Sequence, residues 1–164
     1  MADIGSTVAK TKRDGKIELI TNERTLEVKY EAGDFSLSGL KASQMATTMI
    51  LDRGDFHTVR PTDFEPVTGS FSCTLTDLSD GTDVLIIDAC RGTGAWASDT
   101  SAFGAHSDVW GLKIRWTVEG TDHNDSADHT CVMEPVRVTS VDISEGDPST
   151  FSISFECYAV PVLT

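Results

Sequence analysis

The residues with the most obvious chemical potential sit in one polar stretch, Asp122-His123-Asn124-Asp125-Ser126-Ala127-Asp128-His129. Oxygen ligands at 122, 124, 126 and 128 have the alternate spacing of an EF-hand calcium loop. The pattern then breaks. The sixth position is Ala127, where the sharp turn calls for Gly, and the twelfth is Met133, where a bidentate Glu should close the shell. The stretch therefore reads as a solvated turn between strands, and neither a metal nor a cofactor is expected. Asn124-Asp125-Ser126 fits a glycosylation acceptor, which matters only in a secreted chain. Gly92-Thr93-Gly94 follows a segment with helix signals instead of opening one, so it lacks the context of a phosphate cradle. No GxSxG elbow or Walker loop occurs. His57, His106, His123 and His129 form no recognisable arrangement with a nucleophile, and no enzymatic activity is expected.

Composition narrows the classes further. The chain has 164 residues and 17.7 kDa, one domain's worth, with 13 basic against 26 acidic residues and a net charge of −13. Such a surface repels phosphate, which argues against a nucleic-acid binder and against docking on an anionic membrane. There is no run of 18 apolar residues, so no membrane helix is expected. The first residues, MADIGSTVAKTKRDGK, carry basic side chains with no apolar core behind them and do not read as a secretory leader. Cys73, Cys90, Cys131 and Cys157 are far apart in sequence, and they are expected to be reduced and buried as small hydrophobes.

The elements that position all of this are mostly strands. Thr and Ser make up 36 of the 164 residues, period-2 alternation is frequent and long apolar helical stripes are almost absent. Residues 1–15 read as a flexible arm, and 16–164 as a single β domain. A short strand is expected at Ile17–Ile20. Leu26, Val28 and Tyr30 alternate against charge, and Phe35 and Leu37 alternate against Ser36 and Ser38; with Gly33 between them, the two segments read as a hairpin. Residues 40–66 mix Met, Thr, Gly, Pro and charge. They read as a long loop excursion with room for a short helix around Ser43 to Leu51, and such excursions usually carry interactions. Val67, Gly69, Phe71, Cys73 and Leu75 then face one way, and Thr68, Ser70, Ser72, Thr74 and Thr76 the other. A helix is expected from a Thr82 cap to a Gly92 stop, apolar nearly all round. Residues 95–108 read as loop. The strongest strand is 110–119, with Trp110, Leu112, Ile114, Trp116 and Val118 inward. In the strand from Val132 to Ile143 the apolar parity slips, which predicts a β-bulge near Thr139. The last strand sets Phe151, Ile153, Phe155 and Cys157 against Ser152, Ser154 and Glu156. The fold class is mainly β: a β-sandwich or rolled β-barrel with one α-helix.

The outward strand faces are of two kinds. On 35–38, 67–76 and 151–156 they are nearly all hydroxyl, whereas on 110–119 they are long and charged. An ordinary solvated face mixes in Lys and Glu. A surface of short hydroxyls suits close packing or sliding past.

At this point the layout of elements resembles the major tail tube proteins of tailed bacteriophages, whose fold is shared with the tube of type VI secretion systems. The resembling stretches are Thr25-Leu26-Glu27-Val28-Lys29-Tyr30-Glu31-Ala32-Gly33-Asp34-Phe35, Asp52-Arg53-Gly54, Pro66-Val67-Thr68-Gly69-Ser70-Phe71, the helix before Gly92, the Trp110–Glu119 strand, and Ser144-Glu145-Gly146-Asp147-Pro148. The resemblance implies a homo-hexameric ring that stacks into a hollow tube for DNA, with one sheet of each subunit in the lumen wall. It implies as partners the tape measure, terminator and baseplate or tip proteins, transient passage of DNA without specific binding, and no membrane. Assembly would take place in the host cytoplasm and the product would be the virion tail. The candidate lumen-facing residues are Asp34, Ser36, Ser38, Thr68, Ser70, Ser72, Thr74, Ser152, Ser154 and Glu156. The candidate ring-stacking loop carries Met45, Met49, Arg53, Asp55, Phe56 and Arg60, with the N-terminal arm as a second joint. The candidate interface helix offers Val84, Ile87 and Arg91. Six copies of −13 give −78 per ring, a wall that repels phosphate. Other readings are a terminator or neck ring of the same fold, a type VI-like secretion tube, a small-molecule-binding β-barrel, or an enzyme built on the 122–129 turn.

Overall fold

The structure, a computed structural model, describes residues 15–28, 35–75, 78, 84–118 and 127–164. Ten strands and one short helix follow in the order β1 (Gly15–Ile20), β2 (Thr25–Val28), β3 (Phe35–Ser38), β4 (Met45–Asp52), β5 (Asp55–Phe64), β6 (Val67–Thr74), α1 (Ile86–Arg91), β7 (Leu112–Val118), β8 (His129–Ser144), β9 (Thr150–Cys157) and β10 (Val162–Leu163). The class is mainly β, as the alternation predicts. One antiparallel sheet has the order β2-β1-β7-β8-β9-β6-β3, with β10 pairing onto β8; β4 and β5 form a separate two-stranded sheet.

The expected hairpin between the second and third strands does not form. β2 pairs with β1 and β3 pairs with β6, so consecutive strands lie at opposite ends of the sheet order. This arrangement dictates the shape. Six strand spacings of a flat sheet span about 29 Å, whereas the seven steps from Val28 to Phe35 reach about 25 Å at full extension. The sheet must roll. Its rolled state is visible in the ring of Phe35 on β3, which stacks on Trp116 of β7 with centroids 5.0 Å apart and planes 16° apart. The pairing signal misled because both segments alternate well, and alternation says nothing about which strand is the neighbour.

Inside the roll lie Ile17, Leu19, Val67, Phe71, Leu112, Ile114, Met133, Val136, Phe151, Ile153 and Phe155, all at most 1% exposed. All four cysteines are free and buried. Burial alone pushes the Cys73 thiol up to about 11, and burial with the nearby Cys73 pushes Cys90 up to about 12. The bulge expected near Thr139 is present: the β8–β9 register shifts between Val138 and Ser140, which keeps Val136 and Val138 inward before it and Val141 packed on the core after it.

Helix α1 is shorter than expected and starts later. Leu85, in extended conformation, is its N-cap with no side-chain cap bond, and Thr82 lies outside the described residues. Nor is the helix apolar all round, because Asp88 is fully buried and accepts 2.7 Å from the Thr93 hydroxyl. The C-terminal stop is as expected: Gly92 takes φ 65°, and an added Cβ there would meet the Trp110 ring at 2.4 Å. Trp110 donates its indole N–H to the Ala89 carbonyl at 2.7 Å, which ties helix to sheet. The loop after the helix hides a core residue, Trp96, which is 0% exposed and sits in a single 3-10 turn, Gly94–Trp96. Among the described residues no helix is long and apolar enough to cross a membrane.

The solvent side of β1, β2 and β7 is charged. Glu18 and Glu27 face each other across β1 and β2, a like-charge pair that needs compensation. Lys16 supplies part of it, at 3.2 Å from Glu18 and 3.7 Å from Glu27, and Arg115 donates to Glu18 at 2.6 Å. The Arg115 hydrogen bond, with Lys16 beside it, holds the Glu18 carboxyl below its ordinary range despite burial. A depressed folded-state pKa stabilises above the unfolded pKa and loses that effect as pH falls through the folded value. Glu18→Gln is therefore expected to cost about 1–3 kcal/mol at pH 7, with the deficit fading once the carboxyl is protonated in both states. Urea midpoints at pH 7 and pH 3 check this, and an equal deficit at both would contradict it. A second prediction concerns Gly69, where an added Cβ would lie 2.3 Å from the Phe155 ring and 2.9 Å from the Ser36 carbonyl. Gly69→Ala is expected to lower the unfolding free energy by about 1–3 kcal/mol through overpacking, read as a lower urea midpoint with an unchanged denaturant slope.

Candidate functional site

The hydroxyl-bearing strands come together. β3, β6, β9 and the second half of β8 are neighbours, and their register lines up the small polar side chains in rungs. Ser36, Ser70, Ser154 and Ser140 form one rung; Ser72, Ser152 and Asp142 the next; Thr74, Thr150 and Ser144 the last. At the other end Ser38, Thr68, Glu156 and Arg137 stand side by side. The Ser36 and Ser70 hydroxyls lie 2.9 Å apart. Of the ten residues expected on this face, Ser36, Ser38, Thr68, Ser70, Ser72, Thr74, Ser152, Ser154 and Glu156 share it, and Asp34 lies outside the described residues. Sequence reasoning missed the contribution of β8. The signal was available, because the predicted bulge fixes which parity Ser140, Asp142 and Ser144 take.

The face is polar but nearly balanced in charge. Arg137 is the register partner of Glu156, and Tyr158 donates its hydroxyl to Glu156 at 2.6 Å. That bond, ahead of burial, raises the Tyr158 pKa above its ordinary value. Asp142 is left as the uncompensated charge among the register-aligned residues. Both margins of this four-strand face are open among the described residues. β3 ends the sheet order, and Ser140–Ser144 pair with β9 on one side only.

The excursion at 40–66 is a β-hairpin and contains no helix. Thr, Val and Ile at Thr47, Thr48, Ile50, Thr58 and Val59 favour strands, and the tight turn is made by Arg53 at φ 52° and Gly54 at φ 92°. Met49 pairs with Val59 and Leu51 with Phe56, which puts all four on one side of the ribbon. They are 58%, 47%, 49% and 65% exposed respectively. Of the expected stacking residues, Met49 and Phe56 lie on this apolar side, while Arg53 and Asp55 lie at the turn; Arg60 pairs with Thr48 on the opposite side, and Met45 pairs with Phe64 at the base. The base is clamped by Gln44, which sequence reasoning did not single out. Its side chain donates to the Gly39 and Glu65 carbonyls at 2.9 and 3.2 Å and accepts from the Lys41 amide at 2.7 Å. An ion pair of Lys41 with Glu65 sits beside it.

The helix candidates are scattered. Val84 precedes α1 and is exposed, Ile87 packs partly against the core and Arg91 points to solvent. Their separation follows from the short helix, since Val84 is no longer on the same helical face. The turn at 122–129 lies outside the described residues through Ser126, and among the described residues no three His, Cys, Asp or Glu side chains converge on a metal-sized site.

No protein-family profile and no curated protein matches this chain. Solved structures do. A protein from the sheath and tube terminator of an extracellular contractile injection system, in its extended state, superposes with TM-score 0.61 at 11% identity, over 99% of each chain. A protein from the tube-terminating cap of the anti-feeding prophage gives 0.59 at 10% identity, over 99% of this chain and 95% of that one. The SPP1 tail tube gives 0.53 at 10% identity, over 95% and 79%. At these identities the likeness is one of fold: the chain has the fold found in tube and terminator assemblies of contractile injection systems and in a phage tail tube.

Proposed function

We propose that this chain is a structural subunit of a bacteriophage tail tube, six copies closing into a ring and rings stacking into a conduit for DNA. The observation that carries the reading is the four-strand hydroxyl face with an open edge at each margin. An unpaired strand edge templates pairing with another chain. Joining the Ser140–Ser144 edge of one copy to the β3 edge of the next continues the sheet. Six copies make a barrel of 24 strands, about 48 Å between opposing strand axes at a spacing of about 4.8 Å and a tilt of about 40°. That bore leaves room for a hydrated duplex. On its wall of Ser and Thr the acidic Glu156 and Asp142 outnumber the one cation, Arg137, and the −13 charge of each copy adds repulsion at longer range. DNA then slides without being held. No chemistry on the DNA is required of the wall, so the subunit acts as structure. The tape measure, terminator and baseplate proteins of such a tail are the partners, and the virion tail is the location.

The hairpin supplies the axial contact. Two strands with a bare apolar side are not stable alone in water, and Met49, Leu51, Phe56 and Val59 have no cover within the described chain. A second reading is a terminator ring of the same fold, favoured by the full-length likeness to the terminator and cap assemblies. Polymer length separates the two: a tube subunit grows, and a terminator stops at one ring.

Two variants test the reading. Met49→Asp with Phe56→Asp is expected to raise the concentration needed for tube growth by tenfold or more, since about 1.4 kcal/mol per contact suffices, while rings persist in sedimentation velocity. Unaltered growth would overturn the stacking role. Ser70→Arg with Ser72→Arg is expected to leave tubes intact and make them retain duplex DNA at low salt and release it at high salt, with DNA ejection blocked. Normal ejection by tails built of this variant would overturn the lumen placement.

A further inference from the structure

An edge-to-edge join between copies leaves open which residues meet, and the strands themselves restrict the choice. β3 runs antiparallel to β6, β6 to β9 and β9 to β8, so β3 and β8 point in opposite senses. Rotation about an axis running along the wall preserves those senses. β3 of one copy therefore meets β8 of the next as an antiparallel pair. Side-chain parity restricts the join further. On β3, Ser36 and Ser38 lie on the hydroxyl face, and Phe35 and Leu37 pack on the core; on β8, Ser140, Asp142 and Ser144 lie on that face, and Val141 packs on the core. Directly opposed residues share a face. Within the open edge, Ser36 thus has three partners of matching parity: Ser140, Asp142 and Ser144. We infer that Ser36 faces Ser144 of the next copy, which sets Leu37 against Ile143 and Ser38 against Asp142. This rests on the ring reading above and names the contacts that reading leaves open.

Three features select that register. The first is tilt. The rung of Ser36 runs through Ser70 and Ser154 to Ser140 of the same chain. If Ser36 met Ser140 of the next copy, each rung would close on itself and the strands would stand parallel to the axis. Closed barrels instead tilt their strands by about 35–45°. Each copy contributes four strand spacings, about 19 Å, and each residue rises about 3.3 Å. A stagger of two residues per copy, with Ser36 against Asp142, gives a tilt of about 19°, whereas four residues, with Ser36 against Ser144, give about 35°. Six would carry Ser36 past the end of β8 at Ser144. The opposite direction is closed, because β8 pairs with β7 from Val136 back to His129. The second feature is burial. Ile143 is opposite Phe151, which is 0% exposed, yet Ile143 itself is 53% exposed. It needs an apolar neighbour on its open side. The Phe35 ring is already stacked on Trp116 and Phe155, and Leu37, only partly buried, is the apolar residue that the four-residue stagger supplies. The third is charge. Asp142 would face the Ser38 hydroxyl, which can donate to a carboxylate, whereas the Ser36 hydroxyl is bonded to Ser70 at 2.9 Å.

Disulfide formation reads this register directly. Directly opposed residues have Cα atoms about 4.5–5.5 Å apart, within reach of a disulfide, whereas a two-residue slip moves them to about 8 Å, out of reach. Full-length chains carry Ser38→Cys with Asp142→Cys, Ser38→Cys with Ser140→Cys, or Ser36→Cys with Ser140→Cys, beside the single variants and the unaltered chain. Each is assembled, oxidised with copper phenanthroline and separated without reductant. The native thiols make a quiet background, because Cys73, Cys90, Cys131 and Cys157 are all buried. The expected product is a ladder of covalent multimers ending at six from Ser38→Cys with Asp142→Cys, and at least tenfold less from the other two pairs. Ser36→Cys with Ser144→Cys should give the same ladder, so one variant that fails to assemble does not decide the outcome. A ladder from either pair containing Ser140→Cys instead would overturn the stagger and leave the ring reading standing. Rings that link through none of the pairs would overturn the edge contact itself. A covalent dimer from Ser38→Cys alone would mean that two β3 edges meet about a two-fold axis, and it would overturn both the stagger and the ring, as would an unaltered chain that forms no rings.

Discussion

The fold depends on one geometric constraint. β2 and β3 are separated by a short connection yet occupy opposite ends of the sheet order, and a flat sheet cannot satisfy both. The roll that resolves this brings Phe35 onto Trp116 and within 6.5 Å of the Phe155 ring, and the aromatic contacts then fill the interior. Everything polar is sorted by the roll. The strands on one side present hydroxyls, and those on the other present the Lys16, Glu18, Glu27 and Arg115 network. Gly69 lies where the wall is tightest, with the Phe155 ring against its backbone.

Much of this was legible in the residues. The strands at 17–20, 67–74, 112–118 and 150–157 follow from period-2 alternation, and the bulge at Thr139 follows from a single slip of parity between Val138 and Val141. Burial of the four cysteines and the left-handed stop at Gly92 follow from side-chain size and backbone freedom. What failed was long-range or masked by composition. The partner of the Phe35–Ser38 strand is decided by closure of the roll, which no local pattern encodes. The hairpin at 45–64 read as irregular because its apolar residues face solvent in the single chain, and Pro61 with a register shift interrupts its alternation. The sequence overdraws helix α1 because Thr82 looks like a start, whereas the first helical turn begins at Ile86 without any side-chain cap. The hydroxyl face is legible strand by strand, whereas its rungs, and the places of Ser140, Asp142 and Ser144 in them, follow from the register.

The single chain is an incomplete object in a physical sense. Among the described residues it leaves open edges at β3 and at the end of β8 and an exposed apolar ribbon at 45–64. Each of these leaves apolar or unpaired backbone groups in water, and the proposed assembly would cover them. Gln44 ties the two strands of the ribbon together at its base through three hydrogen bonds to backbone groups. A base pre-ordered in this way would lower the ordering cost of the proposed stacking contact.

Cryo-electron microscopy of the purified protein, raised through a range of concentrations and averaged in end view, tests the central claim most directly. The account predicts sixfold particles with an open bore lined by β-structure and the hydroxyl rungs of β3, β6, β8 and β9 on the inner wall. Compact single copies at every concentration, or a closed assembly whose hydroxyl face points outward, would contradict it.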